Sequence, residues 1–275
     1  MEPHGLITTT PIADSVWQLT DVFEFRAYLV VGSARAALVD TMGGAGDIRA
    51  TAGAITSLPV VALLTHCHYD HVGGSYLLDD VRLPIGEKGK WATVQDHAPR
   101  AREQALHDGL IAEDDLWAPA AGRAPHCTDV REGDVLDLGG LTLEAVALPG
   151  HTRGSMGYLC PERGLLFSGD AVTPIMCLFF EDSLSIAAYR ETLRKMEGLD
   201  FDAFWTGHHD VGFSKDALAE FDRAAAYAER DERGMDWVHG LLTEYSGTLH
   251  VAPEYQLADV DSPGFRAVIG PYVPR

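Results

Sequence analysis

The sequence predicts an α/β (α+β) fold in which β-sheets are covered by helices. Three observations carry this. Short segments rich in β-branched and aromatic residues recur in both halves of the chain. Helical stretches with capping signals stand between them, and no internal repeat or low-complexity linker interrupts the pattern. One uninterrupted apolar run, "PVVALLT" at 59–65, has the length and composition of a strand buried on both faces.

Taken in order, "SVWQLTD" (15–21), "RAYLVVG" (26–32) and "ARAALVDTM" (34–42) read as strands separated by turn-formers. "GGAG" ends the third, and "DIRATAGAITSL" (47–58) reads as a helix with Asp47 as N-cap. After the buried strand at 59–65, residues 86–117 are polar and mostly helical. Strands return with "DVLDLGG", "LTLEAVALPG", "SMGYLC" and "GLLFSGDA" between 134 and 171. "SIAAYRETLRKMEGL" (185–199) is a helix, and "FDAFWTGHHD" (201–210) a strand running into a loop. "SKDALAEFDRAAAYAERDERG" (214–234) is an amphipathic helix with Ser214 as N-cap. The tail, 248–275, carries several prolines and two strand-like pieces, and either packs back on the domain or reaches a neighbouring subunit as part of a homodimer.

The 275 residues carry a formal net charge of −20, which repels phosphate backbones and anionic membranes. Nucleic acid and membrane are therefore not expected as partners, and no run approaches the roughly 18 apolar residues of a membrane span. The four cysteines form no C-x-x-C pair and read as reduced thiols. The N-terminal stretch lacks the basic and apolar regions of a signal peptide, so a cytoplasmic location is expected.

Directly after the buried strand comes "LLTHCHYDHVGG" (63–74), an H-x-H-x-D-H cluster of His66, His68, Asp70 and His71. Imidazole and carboxylate are the ligand types of zinc and comparable divalent metals, and a loop at a strand end lets alternate side chains converge. With 12 histidines in 275 residues, chance would produce such a cluster on the order of once in several hundred chains. Three further candidates stand at strand-to-loop junctions: His151 in "ALPGHTRGS", Asp170 in "LLFSGDA" and His208 in "FWTGHHD". A pair of divalent metals sharing one water would lower its pKa from about 15.7 towards 7 and polarise a substrate carbonyl, with no serine or cysteine nucleophile needed.

This set resembles the metallo-β-lactamase superfamily, over residues from about 15 to about 235 of a single domain spanning 1–275. The resemblance implies an αββα sandwich of two mixed sheets with helices outside and the site at one edge. It implies that His66, His68 and His151 hold one metal, that Asp70, His71 and His208 hold a second, and that Asp170 bridges them. Asp70 and Asp170 would be the catalytic carboxylates. Asp40, in "LVDTMGG", would orient a ligand histidine by hydrogen bonding. His208 is preferred over His209 because the family pattern favours the histidine directly after glycine. The metals expected are two Zn2+, with iron or manganese as alternatives.

The resemblance also sorts the chemistry. A full bridging aspartate argues against antibiotic hydrolysis, His68 departs from the H-x-E-x-D-H of the di-iron branch, and Thr173 stands where the lactonases carry tyrosine. Hydrolysis of a small ester, thioester or lactone remains, similar to the glyoxalase II-like group, with a persulfide dioxygenase-like oxidoreductase or a phosphodiesterase as alternatives. Basic residues to grip glutathione are not evident. Phe23 and Phe25, in a flap-like segment at 21–28, and Met176, Phe179 and Phe180, after the bridging aspartate, are the candidates to line an apolar substrate pocket. Cys67 falls on the alternate position and reads as structural.

Overall fold

The computed structural model describes residues 5–120, 124–230 and 234–271. The apolar run at 59–65 shows how the molecule is layered. Alternate side chains of a strand point to opposite faces. Val61 and Leu63 pack into one core and Ala62 and Leu64 into another, so the strand Val60–Leu63 is covered on both sides.

That strand lies within a seven-stranded sheet. Ile7–Ala13, Val16–Asp21, Arg26–Val31 and Ala36–Val39 form an antiparallel meander, and Val60–Leu63, Asp80–Pro84 and Cys127–Val130 continue it in parallel. A six-stranded sheet faces it, in the order Phe213–Ser214, Ala203–Thr206, Leu165–Gly169, Met156–Cys160, Thr142–Ala147, Val135–Asp137. Tyr28, Val39 and Leu63 of the first sheet meet Leu143, Tyr158 and Phe167 of the second in a common core. Each such fully buried apolar side chain contributes about 1.5–3 kcal/mol.

The outer faces are covered by helices. Ile48–Ile55 and Trp91–His107 pack on the first sheet through Ile48, Ala52 and Val94. Ile186–Glu197 and Leu218–Ala228 pack on the second through Leu193, Met196 and Phe221. The result is an αββα arrangement of mixed sheets. Asp47 caps its helix as the sequence suggests, accepting from the Ala50 N–H at 2.9 Å.

Two features differ from the sequence reading. Ile7–Ala13 adds an exposed edge strand whose run of threonines has no apolar alternation to reveal it. Ser214 does not cap the following helix: it pairs with Ala203 at the end of a short strand, and a 3-10 turn at Lys215–Ala217 precedes the helix. The predicted end of that helix, at 231–233, lies outside the described residues, as do the last four residues of the tail.

The tail packs on its own chain. Met235–Val238, Ser246–Val251, Ala267–Pro271 and Ile175–Cys177 form a four-stranded sheet, with Ala267, Val268 and Ile269 pairing in parallel with Ile175, Met176 and Cys177. The C-terminal region is thereby tied to the segment that follows Asp170. Among the described residues no helix is long and apolar enough to cross a membrane.

Candidate metal centre

The chain positions of the candidate ligands are far apart, but the strand ends bring them to one edge of the sandwich. His66, His68 and His151 offer ring nitrogens that lie within 4.8 Å of one another, and Asp70, His71, Asp170 and His208 form a second such group. In the first group His151 Nε2 and His68 Nδ1 stand 3.0 Å apart. Two nitrogens at 2.0–2.1 Å from one zinc would stand about 3.3 Å apart at the tetrahedral angle, so the spacing suits a shared cation. In the second group His208 Nε2 is 3.0 Å from Asp170 Oδ2 and 3.4 Å from Asp70 Oδ2, and His71 Nε2 is 3.4 Å from Asp170 Oδ1. Asp170 Oδ2 is also 3.8 Å from His151 Nε2, which puts this carboxylate between the groups.

The hydrogen bonds fix which nitrogen each ring offers. His71 Nδ1 donates to Asp40 Oδ2 at 2.8 Å, and His151 Nδ1 donates to the Cys177 carbonyl at 2.8 Å. The Thr65 hydroxyl donates to Asp40 Oδ2 and can accept from His66 Nδ1 at 3.1 Å. All three rings therefore turn Nε2 towards the centre, the arrangement a metal-ligating histidine needs. His66 Nε2, His71 Nε2 and Asp170 Oδ1 are buried and lack a hydrogen-bond partner. Buried polar atoms are rarely left unpaired, and here the unpaired ones converge. The donor set fits a pair of divalent cations.

The loop that carries Asp40 is strained. Asp40 has φ +61° and Met42 φ +55°, in the left-handed region that costs non-glycine residues roughly 1–3 kcal/mol. The bent loop takes the Thr41 N–H to the His71 carbonyl at 2.7 Å and the Asp40 carboxylate to the Thr65 N–H at 2.7 Å. At Gly207 an added Cβ would sit 2.4 Å from His71 Cε1 and 2.6 Å from Asp170 Oδ1. Glycine is required there by space, not by conformation.

The electrostatics differ between the groups. Burial holds His66 well below the ordinary histidine range and, with His151 beside it, pushes His68 down to about 3. Burial lowers His71 and His208 as well, but the carboxylates outweigh it: Asp170, Asp40 and Asp70 raise His71 well above its usual range, and Asp170 raises His208 to about 9. Burial opposes ionisation of Asp170, and His208 and His71 overcome it, holding its carboxyl well below the carboxylate range.

His208, and not His209, reaches the carboxylates. His209 instead lies with Nδ1 3.3 Å from the Thr206 hydroxyl and its ring near Phe213. The centre opens into a cavity of about 1110 Å³. Phe25, Phe179 and Phe180 line it. Two expected lining residues do not. Met176 is buried in the core, because strand alternation turns Ile175 and Cys177 to the cavity and Met176 away from it. Phe23 stacks on Phe25 and meets Trp117 edge-on, packed against the cluster that holds Trp117.

Several functional neighbours gave no sequence signal. Trp237, His239 and Leu242 reach the cavity from the C-terminal sheet, with Trp237 4.6 Å from Phe179 between ring centroids. Asp21 accepts from the N–H groups of Phe23, Phe25 and Gly43, which pins the flap to the loop after Asp40. Glu87, fully buried, accepts from the Cys67 N–H at 3.1 Å and the Thr152 hydroxyl at 2.7 Å. It thus ties the His66–His68 turn to the His151 loop. Nothing in sequence spacing separates these carboxylates from surface ones.

The comparisons with known proteins agree with this geometry. The family described as Metallo-beta-lactamase superfamily matches residues 26–208. A hydroxyacylglutathione hydrolase of Xanthomonas campestris pv. campestris is 34% identical over 149 residues, covering 54% of this chain and 46% of that protein. A human protein named acyl-coenzyme A thioesterase MBLAC2 is 32% identical over 134 residues, covering 42% of each. The chain thus spans less than half the length of these two relatives. A solved metallo-beta-lactamase from Pontibacter korlensis superposes with a TM-score of 0.56 at 17% identity, covering 78% of this chain and 95% of that one, which supports the fold alone.

Proposed function

The chain belongs to the metallo-beta-lactamase superfamily, and from that premise we propose that it is a metal-dependent hydrolase cleaving the thioester bond of a small acyl compound. The observation that carries the proposal is Asp170, which lies within 4 Å of histidines of both groups and lines a cavity shared with Phe25, Phe179, Phe180 and Trp237. The names of the two relatives, a hydroxyacylglutathione hydrolase and an acyl-coenzyme A thioesterase, favour the thioester among the carbonyl substrates considered.

In this reading His66, His68 and His151 hold one cation, Asp70, His71 and His208 the other, and Asp170 both. Zinc is the first choice, with iron or manganese as alternatives. When bound, such a pair supplies an ionised water at neutral pH and polarises the substrate carbonyl. The protein's own groups do the rest. Asp40 and the Cys177 carbonyl hold the rings of His71 and His151 against rotation. Phe180, tilted against His68 at 4.5 Å and 5.3 Å from His151 between centroids, flanks the histidines and offers an apolar face to the acyl chain. Asp70, the more exposed of the two central carboxylates, would orient the attacking water by accepting its hydrogen bond, and the departing thiolate takes its proton from solvent. The products are a carboxylic acid and a free thiol.

The test is a panel of acyl thioesters, lactones and phosphodiesters, with thiol release followed colorimetrically for the thioesters and acid release by a pH indicator for the others, on protein loaded with zinc and on protein stripped by a chelator. Thiol release that stops on stripping and returns with zinc is the expected result. Undiminished hydrolysis by stripped protein, or turnover confined to phosphodiesters, would overturn the proposal.

A further inference from the structure

We propose that Arg26 forms an oxyanion subsite in the wall of this cavity, and that the substrate carries a carboxylate in addition to the bond that is broken. The proposal refines the thioesterase reading and rests on it for the identity of the scissile bond.

Arg26 opens the strand Arg26–Val31, and its N–H donates to the Gly207 carbonyl at 2.9 Å, one residue from His208. Alternation puts its side chain on the face of Tyr28, whose hydroxyl donates to the Thr206 carbonyl. Arg26 therefore sits at the end of the strand Ala203–Thr206 and lines the same cavity as Asp170 and His208. It is 7% exposed. Its Nε and Nη1 are buried with no hydrogen-bond partner. No ion pair among the described residues involves it, although Glu24, Asp210 and Asp261 line the cavity.

The chain compensates a buried arginine elsewhere. Arg266, 4% exposed, also leaves its Nε unpaired, but its Nη1 and Nη2 donate to the carbonyls of Pro263 and Phe265 and to Glu220, and its guanidinium lies 4.3 Å over the Phe221 ring. Arginine cannot shed its charge, so an unpaired guanidinium nine-tenths buried is costly to the free protein. A ligand carboxylate removes that cost, since the planar fork matches its two oxygens. The oxyanion can belong to the acyl half of the substrate or to the thiol half.

Three substrates separate these sources on zinc-loaded protein: the phenyl thioester of butanoate, the phenyl monothioester of glutarate, and the butanoyl thioester of 4-mercaptobenzoate. Wild type is expected to favour one of the two anionic compounds over the neutral one in kcat/KM, and the preferred compound identifies the half that carries the charge. Arg26→Met should cut that preference roughly 10- to 100-fold, and Arg26→Lys, which keeps charge but not the fork, should retain part of it. An unchanged preference in Arg26→Met, or none in wild type, would overturn the subsite. If wild type cleaves no thioester, the functional proposal fails, and calorimetric titration with glutarate and butanoate decides the subsite alone. Tighter binding of glutarate by wild type, lost in Arg26→Met, supports it, and equal binding refutes it. The Tm of Arg26→Met should match or exceed that of wild type, whereas a drop accompanied by loss of zinc would assign Arg26 to the scaffold instead.

Discussion

The two ligand groups at the sandwich edge are built from different chemistry. His66, His68 and His151 form an all-imidazole set in which burial resists protonation of His66 and His68. Asp70, His71, Asp170 and His208 form a carboxylate-rich set that raises the affinity of its histidines for protons. The first group can attract a cation only by coordination, which suits a nitrogen-loving metal such as zinc. The second attracts positive charge of any kind, so protons compete there with metal. Asp170 has a carboxylate oxygen 3.8 Å from His151 of the first group and 3.0 Å from His208 of the second.

Substitutions sharpen this difference, and the largest effect is expected at the shared residue. Asp170→Asn should lower kcat/KM for a thioester by at least about 10³-fold and reduce metal content at both positions, measured by elemental analysis beside steady-state kinetics. His68→Ala and His208→Ala should each remove about one metal per chain with the fold intact by circular dichroism. Loss of both metals from either variant would show that the groups do not load separately. Asp40→Asn should cost about 10- to 100-fold in metal affinity or activity, because the hydrogen bonds that orient His71 and hold Thr65 are weakened while every candidate ligand remains.

The smallest effect is on stability. In metal-free protein His208 is raised from 6.5 to about 9 by Asp170, after the opposing effect of burial. A histidine raised in the folded state stabilises fully below its unfolded pKa, and that contribution is lost as pH rises through the folded value. The Tm of stripped protein should therefore decline between about pH 6.5 and 9, while zinc-loaded protein, its imidazoles already neutral, stays flat across the same window. Parallel profiles for the two forms would count against the carboxylate-rich character of the second group.

How much of this was legible in the sequence follows the same division between local and distant. His66, His68, Asp70 and His71 fall in six consecutive positions, so one strand end delivers them together and their spacing alone suggests a metal. His151, Asp170 and His208 share a recognisable setting, a strand followed by a turn rich in glycine, and the resemblance to the family added their roles. The substrate wall was largely illegible. Trp237 and His239 arrive through a sheet that pairs residues 175–177 with 267–269, a contact across about 90 positions that no periodicity announces. Met176 and Phe23 are apolar and close in sequence to the site, but strand alternation turns Met176 into the core and Phe23 packs edge-on against Trp117. Asp21, Glu87 and Arg26 are charged residues made meaningful only by burial, a property the sequence does not carry.

The central claim is that two cations share Asp170. Anomalous diffraction from crystals of zinc-loaded protein, recorded at the zinc edge, tests it most directly. The account predicts two peaks, one about 2.0–2.2 Å from nitrogens of His66, His68 and His151 and the other at similar distance from Asp70, His71 and His208, with an Asp170 oxygen reaching each. A single peak, or two peaks without Asp170 between them, would contradict it.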